Sequence, residues 1–264
     1  MAVYRPLVYF AVLLVLITQV GCRKHPVASV TGKDSLLVYI MAGQSNMAGR
    51  GMIEPQDTFT NPRILTIDSA GELVIAQEPL HFYHPGFSGL DCGVSFAKAM
   101  LVYAPPGSKI CLVPCAMSST SVQEWLGDST HGVKLYSNMI SRAEIAMQYG
   151  VLRGVLWHQG ESNAEDSARA ANYDDDLSAL VQKIRRDVHD DGLPFFAATL
   201  ADFCVRPFKD QINAEIRAAA DKLTGLYVVS TADLSCRPDN IHFDAVSQRE
   251  MGRRFALVAG PLLQ

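Results

Sequence analysis

Three residue types that together activate a nucleophile stand at opposite ends of this chain. Ser45 lies in Gly43-Gln44-Ser45-Asn46-Met47, and a carboxylate and an imidazole lie in Asp239-Asn240-Ile241-His242. A serine hydroxyl attacks a carbonyl only when a base takes its proton, and a carboxylate orients that base. Gly43 permits a tight turn without a Cβ clash. Met47-Ala48 can begin a helix, which would aim the Ser45 N–H at a developing oxyanion. Taken alone, Ser45 reads first as a helix cap, a common role for serine. The stretch is not the Gly-x-Ser-x-Gly elbow, because Met47 holds the last position. Asp239 and His242 read equally as a capping Asp and a surface His, although Asp244 is the better cap for a closing helix.

A third polar stretch is Trp157-His158-Gln159-Gly160-Glu161-Ser162-Asn163. A side-chain amide there can donate to an oxyanion, and Gln159 is the candidate. The plainer reading is a β–α turn with Gln159 in solvent. His158 is a competing base by type, but a satisfied structural histidine is the expectation.

These groups need a frame that brings them together. Short apolar runs rich in β-formers fit strands buried on both faces of a parallel sheet. They occur at Ser35–Ala42, Arg63–Asp68, Lys109–Cys115, Val151–Trp157, Pro194–Leu200 and Leu226–Thr231. Helical spacing predicts helices over Gly93–Tyr103, Gly132–Tyr149, Ala168–His189, Pro207–Leu223 and Asp244–Val258. Asp174-Asp175-Asp176 reads as a solvated helix face. Alternation of this kind implies an α/β fold, a doubly wound parallel sheet with helices on both faces and right-handed crossovers. Sites in such sheets lie at the carboxyl ends of the strands. Ser45, Gln159 and the Asp239–His242 pair all fall at that edge.

The chain has 264 residues and a net charge of −4, so nothing draws it to nucleic acid. An apolar content of 48% supports a real core. Residues 1–22 read as an export signal: Arg5, an apolar run from Leu7 to Ile17, then Gly21-Cys22, which suggests a lipobox with Cys22 lipidated as a membrane anchor. Gln19 is a poor match to that motif. The expected protein is thus exported, periplasmic or cell-surface, with a tether over 23–34 and a single domain over 35–264. Cys92, Cys111, Cys115, Cys204 and Cys236 form no CxxC pair, so zinc and redox motifs are not expected. Cys111 and Cys115 read as core residues or loop partners.

Ala42–Met47, Leu156–Asn163 and Asp239–His242 together resemble the SGNH-hydrolase superfamily, and within it the sialate O-acetylesterase and acetylxylan-esterase-like branch that includes carbohydrate esterase family six. Pro114–Trp125 and Gly93–Ala97 carry the same resemblance. It spans Leu36 to Phe255 and implies a three-layer, flavodoxin-like SGNH hydrolase fold. By that resemblance Ser45 is the nucleophile, His242 the base and then acid, and Asp239 its orienter. The Ser45 N–H, a glycine N–H and the Gln159 amide would form the oxyanion hole, with Gly93 the chosen glycine and Gly89 the alternative. Gln44, Asn46, Glu161 and Trp125 are the expected substrate contacts. No metal or cofactor is implied.

The sequence departs from the family at Ser118-Ser119-Thr120, often Gly-Gly-Thr, and at Asp91-Cys92-Gly93, commonly Gly-Pro-Gly. Acetylated carbohydrate is the implied substrate. A sialic-acid carboxylate would call on Arg50, Arg63 or Arg206, though each reads as a solvated surface charge. A xylan groove would use Trp125, Tyr83 or Phe87, though Trp125 reads equally as packing. A lipase-like or thioester hydrolase on the same scaffold, and a catalytically silent carbohydrate-binding lipoprotein, are the rival readings. Cys204 and Cys236 follow strands at the site edge and are expected to form a disulfide, with Cys92–Cys115 a second candidate pair.

Overall fold

The computed structural model describes residues 32–263; the expected export signal, Cys22 and most of the expected tether lie outside them. In chain order the elements are β1 (Leu36–Gly43), α1 (Ser45–Ala48), β2 (Ile64–Ile67), β3 (Leu73–Ile75), α2 (Gly93–Met100), β4 (Lys109–Pro114), α3 (Val122–Leu126), α4 (Tyr136–Tyr149), β5 (Val151–His158), α5 (Ser167–Ala171), α6 (Tyr173–Asp187), β6 (Phe195–Ala198), α7 (Lys209–Lys222), β7 (Leu226–Val229) and α8 (Ala245–Ala259). The strands form one sheet in the order β3-β2-β4-β1-β5-β6-β7. All pairs are parallel except β2 with β3.

Every residue of β1 is buried, as its unbroken apolar run requires of a strand covered on both faces. Leu36, Val38, Ile40 and Ala42 enter one hydrophobic cluster; Leu37, Tyr39 and Met41 enter the other. The first cluster takes Met139, Ala143 and Ala146 of α4, Leu177, Leu180, Val181 and Ile184 of α6, and Ile212, Ile216 and Ala219 of α7. The second takes Phe96, Ala97 and Met100 of α2 and Met251, Phe255, Ala256 and Ala259 of α8. In each helix these positions recur at i, i+3 and i+4, the spacing of a single face. A Cβ on Gly252 would lie 2.4 Å from the Cys92 carbonyl oxygen, so glycine there lets α8 close on the start of α2.

Three expectations change. The helix expected over 168–189 is broken at Asn172 into α5 and α6. The edge strand β3 is three half-buried residues long, too short to carry a periodic signal. The Asp174–Asp176 run is tied down, not simply solvated. Asp174 and Asp175 pair with Lys222 of α7, and Asp176 accepts from Gln123 of α3. Its place in the first turn of α6 also suits the positive end of the helix dipole.

Cys92 and Cys115 are free and belong to different clusters, one on each face of the sheet. The sheet between them rules out the second disulfide. Cys111 and Cys115 are core residues on the first face.

Candidate active site

The site begins where β1 ends. Gly43 has φ 133°, and a Cβ there would meet the His158 carbonyl oxygen at 2.1 Å. Only glycine lets the chain turn that close to β5. Gln44 N–H donates to the same oxygen at 2.9 Å and fixes the start of α1. Ser45 is the first residue of α1. A helix leaves its first-turn N–H groups without intrahelical acceptors, and the Ser45 N–H is one of these.

The loop before α8 is tied into a compact turn. Ile241 and His242 N–H groups both donate to Asp239 Oδ1 at 2.9 Å, and the Arg237 N–H donates to the His242 carbonyl at 2.8 Å. Asn240 takes φ 55°, a left-handed conformation that asparagine tolerates well. Asp244 caps α8 by accepting from Ser247 N–H, as its type and place predicted.

The result is one chain of contacts. Asp239 Oδ2 stands 3.0 Å from His242 Nδ1, and His242 Nε2 stands 3.1 Å from Ser45 Oγ. Partial burial opposes ionisation of Asp239, but the two N–H donors and the imidazole outweigh it and hold the carboxyl down at about 2. It therefore stays a carboxylate at neutral pH and orients His242 through Nδ1–H. That leaves Nε2 free to accept the Ser45 proton. Ser45 is 8% exposed, while the His242 and Asp239 side chains are 21% and 34% exposed, so the chain opens to solvent on one side.

The expected oxyanion donors fare differently. Gln159 is fully buried, not in solvent. Its amide nitrogen donates to Thr120 O at 2.9 Å and Asn163 Oδ1 at 2.8 Å, and lies 3.1 Å from Gln44 Oε1. Its Oε1 accepts from Tyr173 at 2.9 Å. An amide has two N–H bonds, and both are taken, so Gln159 braces the site from beneath. Gly93 N–H donates to Asp91 Oδ1 at 2.7 Å, and its Cα faces Met41. The alternative, Gly89 N–H, donates to Gly49 O at 3.2 Å. Neither glycine offers the free donor the sequence reading assigned to it.

The expected substrate contacts are also walled in. Trp125 is fully buried, edge-on to Trp157 at 5.5 Å, with its indole N–H on Thr120 Oγ1 at 3.0 Å. Gln44, Asn46 and Glu161 are 4%, 2% and 5% exposed, and Asn46 donates to Glu161 at 2.7 Å. His158 is buried with its ring edge-on to Phe243 at 5.3 Å. Burial lowers its pKa against the pull of Glu161, so it is a neutral structural histidine.

Cys204 and Cys236 are free thiols. Cys204 packs on the first cluster and burial pushes its thiol up to about 11, while Cys236 Sγ donates to Asn240 Oδ1 at 3.6 Å. The expected bridge is thus replaced by a thiol contact inside the loop.

One residue at this edge escaped the sequence reading, and another was read with the wrong exposure. Gln248 of α8 is fully buried and donates to the Asn46 carbonyl at 2.9 Å. A glutamine on the same stripe as Met251, Gly252 and Phe255 was the available signal. Arg50, read as a surface charge, is 8% exposed and donates to Gly49 O and Ser118 Oγ. Burial, and the like charge of Arg237, lower its pKa. Arg237 in turn donates to the Arg50 carbonyl at 2.7 Å. Arg63 and Arg206 instead bond to Ser108 O and Glu165.

A family model for carbohydrate esterases, the sialic acid-specific acetylesterases, matches residues 35–259. The chain belongs to this family. A probable carbohydrate esterase of Arabidopsis thaliana is 30% identical over 237 residues, covering 83% of this chain and 88% of the relative. The solved structure of that Arabidopsis protein aligns at a TM-score of 0.78 and 27% identity, covering 86% of this chain and 99% of the other. NanS aligns at 0.69 and 18% identity, covering 88% and 99%. A lipase/acylhydrolase of Enterococcus faecalis aligns at 0.51 and 10% identity, covering 86% and 97%. The last two show the shared SGNH hydrolase fold. This member of the acetylesterase family is a carboxylic ester hydrolase, and its family implies acetylated carbohydrate as substrate.

Proposed function

We propose that the chain is a serine esterase that removes O-acetyl groups from carbohydrate through an acetyl-enzyme intermediate. The observation that carries this reading is the unbroken contact from Asp239 through His242 to Ser45 Oγ. Ser45 attacks the acetyl carbonyl as His242 Nε2 takes its proton. The Ser45 N–H stabilises the oxyanion. His242 then protonates the departing sugar oxygen. Next it removes a proton from water, which attacks the acetyl-enzyme and releases acetate.

Of the sugars considered, an acidic one such as sialic acid suits this edge better than xylan. The cation that favours an acidic sugar is Arg237, its side chain 45% exposed and 3.9 Å from Asp239; Arg50 beneath it is 8% exposed and already donates to Gly49 O and Ser118 Oγ. Of the aromatics proposed for a xylan groove, Trp125 faces the core and Tyr83 is half-buried against Asn138, while Phe87 stands 74% exposed. The test is acetate release from 4-nitrophenyl acetate, acetylated xylan and O-acetyl sialic acid by wild type and Ser45→Ala. Loss of turnover in a folded variant supports the mechanism, and faster release from the acidic sugar supports that substrate. Equal rates in the two proteins would refute the nucleophile.

A further inference from the structure

We propose that Asn46 and Glu161 are positioning residues that set His242 against Ser45, not substrate contacts; this rests on the serine-esterase reading. The peptide groups on both sides of His242 are held by one side chain. Asn46 Oδ1 accepts from Phe243 N–H at 3.0 Å, and Asn46 Nδ2 donates to the Ile241 carbonyl at 3.2 Å. Asn46 is also the residue after Ser45 in α1. The nucleophile turn and the imidazole loop are therefore joined by a single rigid amide. Any shift of one relative to the other strains both bonds. Gln248 adds a second tie from α8 by donating to the Asn46 carbonyl.

An amide can bracket His242 in only one orientation. Turned over, it would present its oxygen to the Ile241 carbonyl and its N–H₂ to the Phe243 N–H, and both contacts would repel. Glu161 selects the working orientation. Its Oε1 takes the remaining Nδ2 hydrogen at 2.7 Å, in a place 95% shielded from water. A donor buried this deeply is costly to leave without its acceptor. Glu161 comes from the turn after β5, so a third strand end is enlisted to fix the distance between the other two.

Near-attack geometry makes such a device matter. A misplacement of about 1 Å can cost about 100-fold in rate. The experiment compares Asn46→Ala, Glu161→Ala and Glu161→Gln on 4-nitrophenyl acetate, a substrate too small to need sugar contacts, with folding followed by circular dichroism. The expected result is a kcat lower by about 10- to 100-fold in the two alanine variants, with KM near the wild-type value. Glu161→Gln, which keeps an acceptor oxygen for Asn46, recovers most of the kcat. A purely structural role would not give that rescue. If Asn46→Ala fails to fold, the Glu161 pair alone decides the matter. A raised KM at unchanged kcat, or full kcat in Glu161→Ala, would overturn the proposal while leaving the esterase reading intact. Wild-type turnover that survives Ser45→Ala would overturn both.

Discussion

Among the described residues stand two aspartate–histidine pairs of nearly the same geometry and opposite surroundings. His242 Nδ1 lies 3.0 Å from Asp239 Oδ2, and His81 Nδ1 lies 2.9 Å from Asp91 Oδ2. In the second pair the side chains are 1% and 0% exposed, and His81 Nε2 is buried without a hydrogen-bond partner. Glu78 is buried nearby, where desolvation and the charge of Asp91 push its carboxyl well above the ordinary range. In the first pair the far nitrogen meets Ser45 Oγ and the loop is open to solvent. The carboxylate–imidazole contact is therefore not what marks a catalytic site. A hydroxyl on the far nitrogen and a path for substrate are what mark it. The buried pair instead anchors the start of α2, where Asp91 also accepts Gly93 N–H.

The contrast can be tested from its strongest consequence down. Ser45→Ala is expected to lower kcat on 4-nitrophenyl acetate by roughly 10⁴- to 10⁶-fold, with the circular dichroism spectrum unchanged. Asp239→Asn should cost roughly 10³- to 10⁴-fold in kcat, because an amide oxygen or N–H no longer fixes the imidazole tautomer. Steady-state kinetics would check both, and a kcat near wild type in either would erase the distinction between the pairs.

Asp91→Ala should behave in the opposite way. It leaves the buried His81 ring nitrogen and the Gly93 N–H without their partner, at about 1–3 kcal/mol each, read as a lower urea midpoint, while kcat per folded molecule holds. A loss of kcat with an unchanged midpoint would give the buried pair a role in the reaction.

The smallest effect concerns acid. The Asp239 carboxyl titrates at about 2 in the folded protein, against about 3.9 for an unfolded aspartate. A depressed carboxyl stabilises the fold above the unfolded value and loses that contribution as pH falls through the folded value. The stability advantage of wild type over Asp239→Asn should thus be full at pH 5 to 7 and vanish towards pH 2. Partial exposure keeps it below about 1 kcal/mol. Urea titrations of both proteins at several pH values would detect an advantage that persists in acid, which is the contrary result.

Much of this arrangement was legible in residue types. Six of the seven strands announce themselves as apolar runs, because a parallel strand covered on both faces has no polar side to show. Ser45, Asp239 and His242 were legible because few other roles need those types at the carboxyl ends of strands. The errors have one source. By the resemblance, Gln44, Asn46, Glu161 and Trp125 were expected to touch substrate and Gln159 to meet the oxyanion, yet all five are buried in the protein. Position along a chain gives the edge at which a residue emerges, not the direction its side chain takes. The same holds for Gly93, whose N–H turns to Asp91, and for Arg50, which looked like a surface charge.

By itself, then, the sequence determined the layer order, the edge that holds the site and the three residues in mutual contact there. Periodicity and side-chain chemistry are local properties, and they suffice for that much. Only the tertiary structure decided which polar groups remain available and which hold one another. Asn46 and Phe243, or Gln159 and Thr120, meet across the ends of different strands. Hydrogen-bond capacity is exhausted by such encounters, and no stretch of sequence records its distant partner.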